Sequence, residues 1–101
     1  MALDIIAYKS NEPREFSHTL MSPTLHQELM EGERFNKKHP FWQIRDYYKA
    51  DGIYQEKEID NLLEEFKKNK NKLTPSCKKE LSNIIEFIEQ KKPLRLAIQG
   101  D

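Results

Sequence analysis

Few side chains in this sequence could do chemistry. Among 101 residues there are three histidines and one cysteine. A metal site needs three or four ligands at workable spacing. The candidates are His18, His26, Glu28, Glu31, His39 and Cys77, and no His-x-x-x-His or Cys-x-x-Cys pair occurs among them. His26 and Glu28 lie two apart on an expected helix, so they point in different directions. No metal ligand set and no cofactor is expected.

Nucleophilic catalysis would need Cys77, or a hydroxyl, beside a histidine that a third group orients. Cys77 falls in the first turn of an expected helix, where the helix dipole and Lys78 and Lys79 would lower a thiol pKa. It is also in register with Leu81 and Ile84, which makes it a small core residue. The carboxylates Glu56, Glu58, Glu64, Glu65, Glu86 and Glu89 stand beside lysines on polar faces. General acid–base work needs a carboxyl in a pocket, with a shifted pKa. Three scattered glycines build neither a phosphate loop nor a dinucleotide fingerprint. No catalytic residue is assigned, and the chain reads as a non-enzyme.

Two surface features bear on binding. Lys67, Lys68, Lys70, Lys72, Lys78 and Lys79 form a basic run that could neutralise phosphates. No arginine or aromatic residue interleaves with them, so base readout and stacking lack their usual side chains. Nucleic-acid binding is therefore the alternative reading. The second feature is aromatic. Phe35, Phe41, Trp42, Tyr47, Tyr48 and Tyr54 are six of the ten aromatic residues. In a helix opening at His39-Pro40, Phe41, Ile44 and Tyr48 share one face, and Trp42 lies ~100° away from Phe41. Arg45 follows on the Trp42 side. Trp, Tyr and Arg dominate protein–protein hot spots, so Trp42, Arg45, Tyr47 and Tyr48 are the candidate partner-binding residues.

The elements that must position these residues follow from periodicity. Leu3–Tyr8 is short and aliphatic, a strand. Lys9–Phe16 reads as a loop. Ser22-Pro23 starts a helix with a hydroxyl cap and a proline at the first position. The His39-Pro40 helix ends at Asp51-Gly52. A third helix covers about Gln55–Lys70, with Ile59, Leu62, Leu63 and Phe66 as its stripe, acids early and lysines late. Lys67–Lys72 contains no apolar residue and reads as a frayed end and solvated linker. Thr74-Pro75 starts a fourth helix in the manner of Ser22-Pro23. Its apolar face is Cys77, Leu81, Ile84, Ile85 and Ile88, and Pro93 stops it. Leu94–Ile98 alternates like a strand with one buried face. A lone strand leaves its backbone unpaired, so the terminal strands should pair with each other, or across a homodimer. The expected fold is α+β and helix-dominated: a single domain over residues 1–101, with four helices and a two-stranded ribbon.

The opening Met1-Ala2-Leu3-Asp4-Ile5, with Tyr8 and the later His18-Thr19-Leu20, resembles a group of small bacterial proteins, some of them immunity-like. Those begin Met-Ser-Leu-Asp and carry Thr-His-Asn-Leu after the first strand. Here Ala2 stands for the Ser and Thr19 for the Asn. The resemblance implies a bacterial protein that blocks a partner.

Composition bounds the rest. Lys plus Arg equals Asp plus Glu, at 17 each, so no overall field draws nucleic acid or anionic membrane. The balance hides an asymmetry, because residues 1–66 carry 8 basic and 13 acidic side chains and residues 67–101 carry 9 and 4. One cysteine permits no intrachain disulfide, which fits a reducing compartment. No apolar run approaches the ~18 residues that span a bilayer, and the N-terminal stretch lacks the basic start of a signal peptide. The chain reads as a cytoplasmic protein-interaction module with another protein as its partner.

Overall fold

The computed structural model describes residues 3–9, 14–30, 51–55 and 57–100. The elements run β1 (Leu3–Tyr8), β2 (Phe16–Met21), α1 (Pro23–Met30), β3 (Asp51–Gln55), α2 (Lys57–Asn69), a 3-10 turn (Lys70–Lys72), α3 (Pro75–Lys91) and β4 (Arg95–Gln99). The fold is α+β.

The terminal strands are antiparallel neighbours, with Ile5 opposite Ile98 and Ala7 opposite Leu96. They are not alone. The sheet has four antiparallel strands in the order β2-β1-β4-β3, in place of a two-stranded ribbon. β2 arises inside the stretch after Tyr8, where only a loop and a helix start were expected. Its pairing begins at Tyr8 and Phe16, and the Lys9 amide donating to the Glu15 carbonyl at 3.3 Å closes the hairpin. Asp51-Gly52, expected as a stop signal, is the start of β3. Both missed strands are sheet edges. An edge strand shares only one ladder and can carry its apolar residues outward, so it lacks an inward apolar pattern. Three α-helices lie among the described residues. The helix expected from His39-Pro40 falls outside them.

β1 buries Leu3, Ile5 and Ala7, and β4 buries Leu96 and Ile98. Met21 and Tyr54 complete this face of the sheet. Above it lie Leu25 and Leu29 of α1, Ile59, Leu62 and Phe66 of α2, and Cys77, Leu81, Ile84, Ile85 and Ile88 of α3. The α3 stripe is the one its periodicity predicts. In α2, Leu63 is only partly buried against the core. Asn69, expected in a solvated run, is 1% exposed. Its Nδ2 donates to the Glu65 carbonyl at 2.9 Å, which satisfies a buried amide at the helix end.

α3 is capped by Lys92, whose φ of 46° puts a non-glycine residue in the left-handed region. Its N–H donates to the Ile88 carbonyl, closing the helix before Pro93. No helix among the described residues is long and apolar enough to cross a membrane.

Candidate functional site

Two places on the molecule gather polar or exposed groups from distant parts of the chain. The first joins α1 to α3. Ser22 caps α1, its Oγ accepting the Leu25 amide at 3.2 Å. Glu80 of α3 then receives both the Ser22 amide and the Ser22 hydroxyl, each at 2.7 Å. The reverse contact occurs at the start of α3. Glu28 of α1 receives the Thr74 amide at 3.0 Å and the Thr74 hydroxyl at 2.8 Å. Thr74 therefore does not cap its own helix as Ser22 does; its hydroxyl is spent on Glu28. Each carboxylate sits at the N-terminus of the opposite helix, where orphan amides and the dipole favour negative charge.

The sequence carries a signal for this pair that composition and periodicity do not show. Ser22-Pro23 is followed by Glu28, and Thr74-Pro75 by Glu80, at identical spacing. Each helix supplies a hydroxyl–proline start and, one and a half turns later, the acid that holds the other's start.

Cys77 belongs to this joint. It is 3% exposed, and its Sγ lies 3.0 Å from a Glu28 oxygen, to which the thiol donates. Burial first, and the Glu28 carboxylate second, push its pKa up. A hydrogen bond with Thr74 acts the other way and is outweighed, so the thiol pKa is raised and not lowered. A protonated thiol hydrogen-bonded to a carboxylate is a poor nucleophile.

The second place is the face of the sheet turned away from the core. Strand register sets its side chains in three rows across β2, β1, β4 and β3. The first row is Phe16, Tyr8, Arg95 and Gln55; the second is His18, Ile6, Ala97 and Ile53; the third begins Leu20, Asp4 and Gln99. No described helix covers this face. Phe16 is 55%, Leu20 50% and Ile53 50% exposed. Tyr8 and Phe16 have ring centroids 6.2 Å apart, and the Arg95 guanidinium lies 4.3 Å from the Tyr8 ring centre. His18 Nε2 is 2.9 Å from Asp4 Oδ1. Ala97 is buried but outside the core cluster, because its small side chain lies between the larger Ile6 and Ile53.

The His18–Asp4 pair is half of an acid–base constellation. Among the described residues no nucleophile stands beside it, since Ser17 and Thr19 alternate to the opposite face and Cys77 lies in the core. Among the described residues, no group of three or more His, Cys, Asp or Glu side chains could hold a metal ion.

The candidates from sequence fare differently. Trp42, Arg45, Tyr47 and Tyr48 lie outside the described residues. The six lysines gather at the α2–α3 corner: Lys67 and Lys68 end α2, Lys70 and Lys72 lie in the 3-10 turn, and Lys78 and Lys79 open α3. Lys67 pairs with Glu89 at 3.2 Å on the surface. A groove of about 680 Å³ runs between α2 and the end of α3, floored by Ile59, Leu63, Ile88, Pro93 and Leu94. Its rim carries both charges, including the Lys67–Glu89 pair.

No protein-family model, curated protein or solved structure matches the chain.

Proposed function

We propose that this chain is a non-enzymatic protein-interaction module that binds its partner through the face of the sheet that no described helix covers. The observation that carries this reading is the set of Phe16, Leu20 and Ile53, three large apolar side chains each at least half exposed on one face. Phe16 and Leu20 stand on edge strand β2 and Ile53 on the opposite edge β3, with half-buried Tyr8 and Ile6 on β1 between them, and exposed apolar side chains gathered with polar groups on one face mark interaction sites. Asp4, His18, Arg95, Gln55 and Gln99 supply that polar component. Tyr8 and Arg95, already stacked, are rigid residues of the kinds enriched at hot spots. A protein that blocks a partner, as the resemblance to immunity-like bacterial proteins implies, is one concrete form of this module. Trp42, Arg45, Tyr47 and Tyr48 remain the second candidate surface.

Photo-crosslinking from position 16 tests the reading. A benzophenone side chain replacing Phe16 should capture a discrete protein in the source cells, and the same group replacing exposed Asn83 of α3 should not. With that protein purified, Leu20→Asp should weaken binding at least ~tenfold. Equal capture from both positions would count against it. Tight nucleic-acid binding that survives physiological salt and is lost on substituting Lys67, Lys70 and Lys78 would replace it with the lysine-run reading.

A further inference from the structure

The two clamps between α1 and α3 are alike in sequence and unlike in access. Ser22 is half-buried, and its Oγ is used twice: it donates to Glu80 and accepts the Leu25 amide. Thr74 is exposed, and its Oγ1 donates to Glu28 at 2.8 Å without capping its own helix. A group added to Ser22 would remove a cap and enter a packed corner. A group added to Thr74 would stand in water and touch only the clamp.

The backbone around Thr74 also suits modification. Leu73 (φ −92°, ψ 159°) and Thr74 (φ −62°, ψ 157°) are both extended, and exposed Pro75 follows. A protein kinase must bring the substrate hydroxyl to its catalytic aspartate, and an exposed hydroxyl on extended backbone can reach it. Exposed Lys72 precedes Thr74 by two residues, and exposed Lys78 stands one helical turn beyond it.

We infer that Thr74 is a phosphorylation site and that the phosphoryl group opens the Glu28 clamp. Thr74 Oγ1 attacks the γ-phosphorus of a nucleoside triphosphate held by a protein kinase. The new O–P bond forms as the bond to the β-phosphate oxygen breaks. The nucleoside diphosphate leaves, and the hydroxyl proton passes to the kinase aspartate.

The product has no hydroxyl proton for Glu28, and it sets ~1.5 to 2 negative charges beside that carboxylate. Like charges so close repel. The Thr74 amide and the Cys77 thiol donate to the same carboxylate, each at 3.0 Å, so both lose it when it swings away. The phosphate itself is compensated by Lys72, Lys78 and the positive end of the α3 dipole. α3 keeps its start, and the Ser22–Glu80 clamp stays closed. The freed Cys77 thiol reports the opening. None of this rests on the reading of the sheet face.

Mass spectrometry of the chain purified from its source cells is the first test. A peptide containing Thr74 should carry the mass of one phosphoryl group, and a peptide containing Ser22 should not. The second test uses the whole chain made with phosphorylated Thr74. Its circular dichroism spectrum should match that of the unmodified chain, and Cys77 should react with a disulfide reagent at least ~tenfold faster. In a Glu28→Gln chain, where no carboxylate is left to repel, phosphorylation should change that rate less than ~twofold. Thr74 unmodified in cells at every growth stage, phosphate on Ser22 instead, loss of the helical spectrum, or a Cys77 rate indifferent to phosphorylation overturns the inference.

Discussion

The joint between α1 and α3 and the open face of the sheet treat polar and apolar groups in opposite ways. At the joint, Glu28 and Glu80 meet the amides and hydroxyls that Ser22 and Thr74 present, and Cys77 donates to the same Glu28. The Glu80 and Cys77 bonds are partly buried and the Thr74–Glu28 bonds exposed, and charge-assisted hydrogen bonds are worth more than neutral ones. On the open face, His18 is bonded to Asp4 and Arg95 lies over the Tyr8 ring. What remains there is apolar surface in water, at Phe16, Leu20 and Ile53. The joint looks chemically active by residue type, with a cysteine, two carboxylates and a helix N-terminus, yet it is internally complete. The open face looks inert by residue type, yet it holds the unused interaction energy.

Breaking the core beneath both regions gives the largest effect. Leu81 of α3 is 0% exposed, so Leu81→Ala should cost ~2–5 kcal/mol of unfolding free energy. Denaturant titration measures it, and a cost under ~1 kcal/mol would remove Leu81 from the packed centre.

The joint comes next. Glu80→Ala leaves the Ser22 amide without its acceptor and should cost ~1–3 kcal/mol. Glu28→Ala should cost a similar amount. Because each clamp holds α1 in reach of the other, the double variant should cost less than the sum. Strict additivity in a double-mutant cycle would show that the two clamps act separately.

A smaller effect appears with pH. Burial raises the thiol pKa of Cys77 above its ordinary 9.0. It likewise raises that of the Tyr54 hydroxyl above 10.0, with Glu58 adding to the shift. Each group binds its proton more tightly folded than unfolded, so its contribution is complete below the ordinary pKa. Stability should fall as pH rises above 9.0 and further above 10.0. Cys77→Ala should flatten the first part of that decline, read from denaturation midpoints between pH 8 and 11. A native thiol that a disulfide reagent modifies rapidly at pH 7 would contradict the account of the joint.

These regions were unequally legible in the sequence. β1, α3 and the pairing of the terminal strands follow from aliphatic runs, helical stripes and the need to satisfy a strand's backbone. β2 and β3 did not show themselves. In FSHTLM the apolar side chains Phe16 and Leu20 point to water and Ser17 and Thr19 toward the helices. A pattern search reads that as no strand, because it assumes the apolar side is the buried one. The outward apolar set that hid β2 is the same set that makes the face a candidate surface. The clamps were hidden for another reason. Glu28 and Glu80 look like any solvated acids until the fold brings each to the other helix's start. Only the repeated hydroxyl–proline and glutamate spacing marks them.

The most direct test of the central claim is the triple variant Phe16→Ser, Leu20→Ser, Ile53→Ser, assayed for folding and for association side by side. If the face is a docking surface, unfolding free energy should drop by less than about 2 kcal/mol, the scale of strand propensity changes at exposed positions. Binding of the captured partner should disappear. A variant that unfolds would show that these three side chains are structural. One that folds and associates as the wild type does would show that the open face is not where this protein binds.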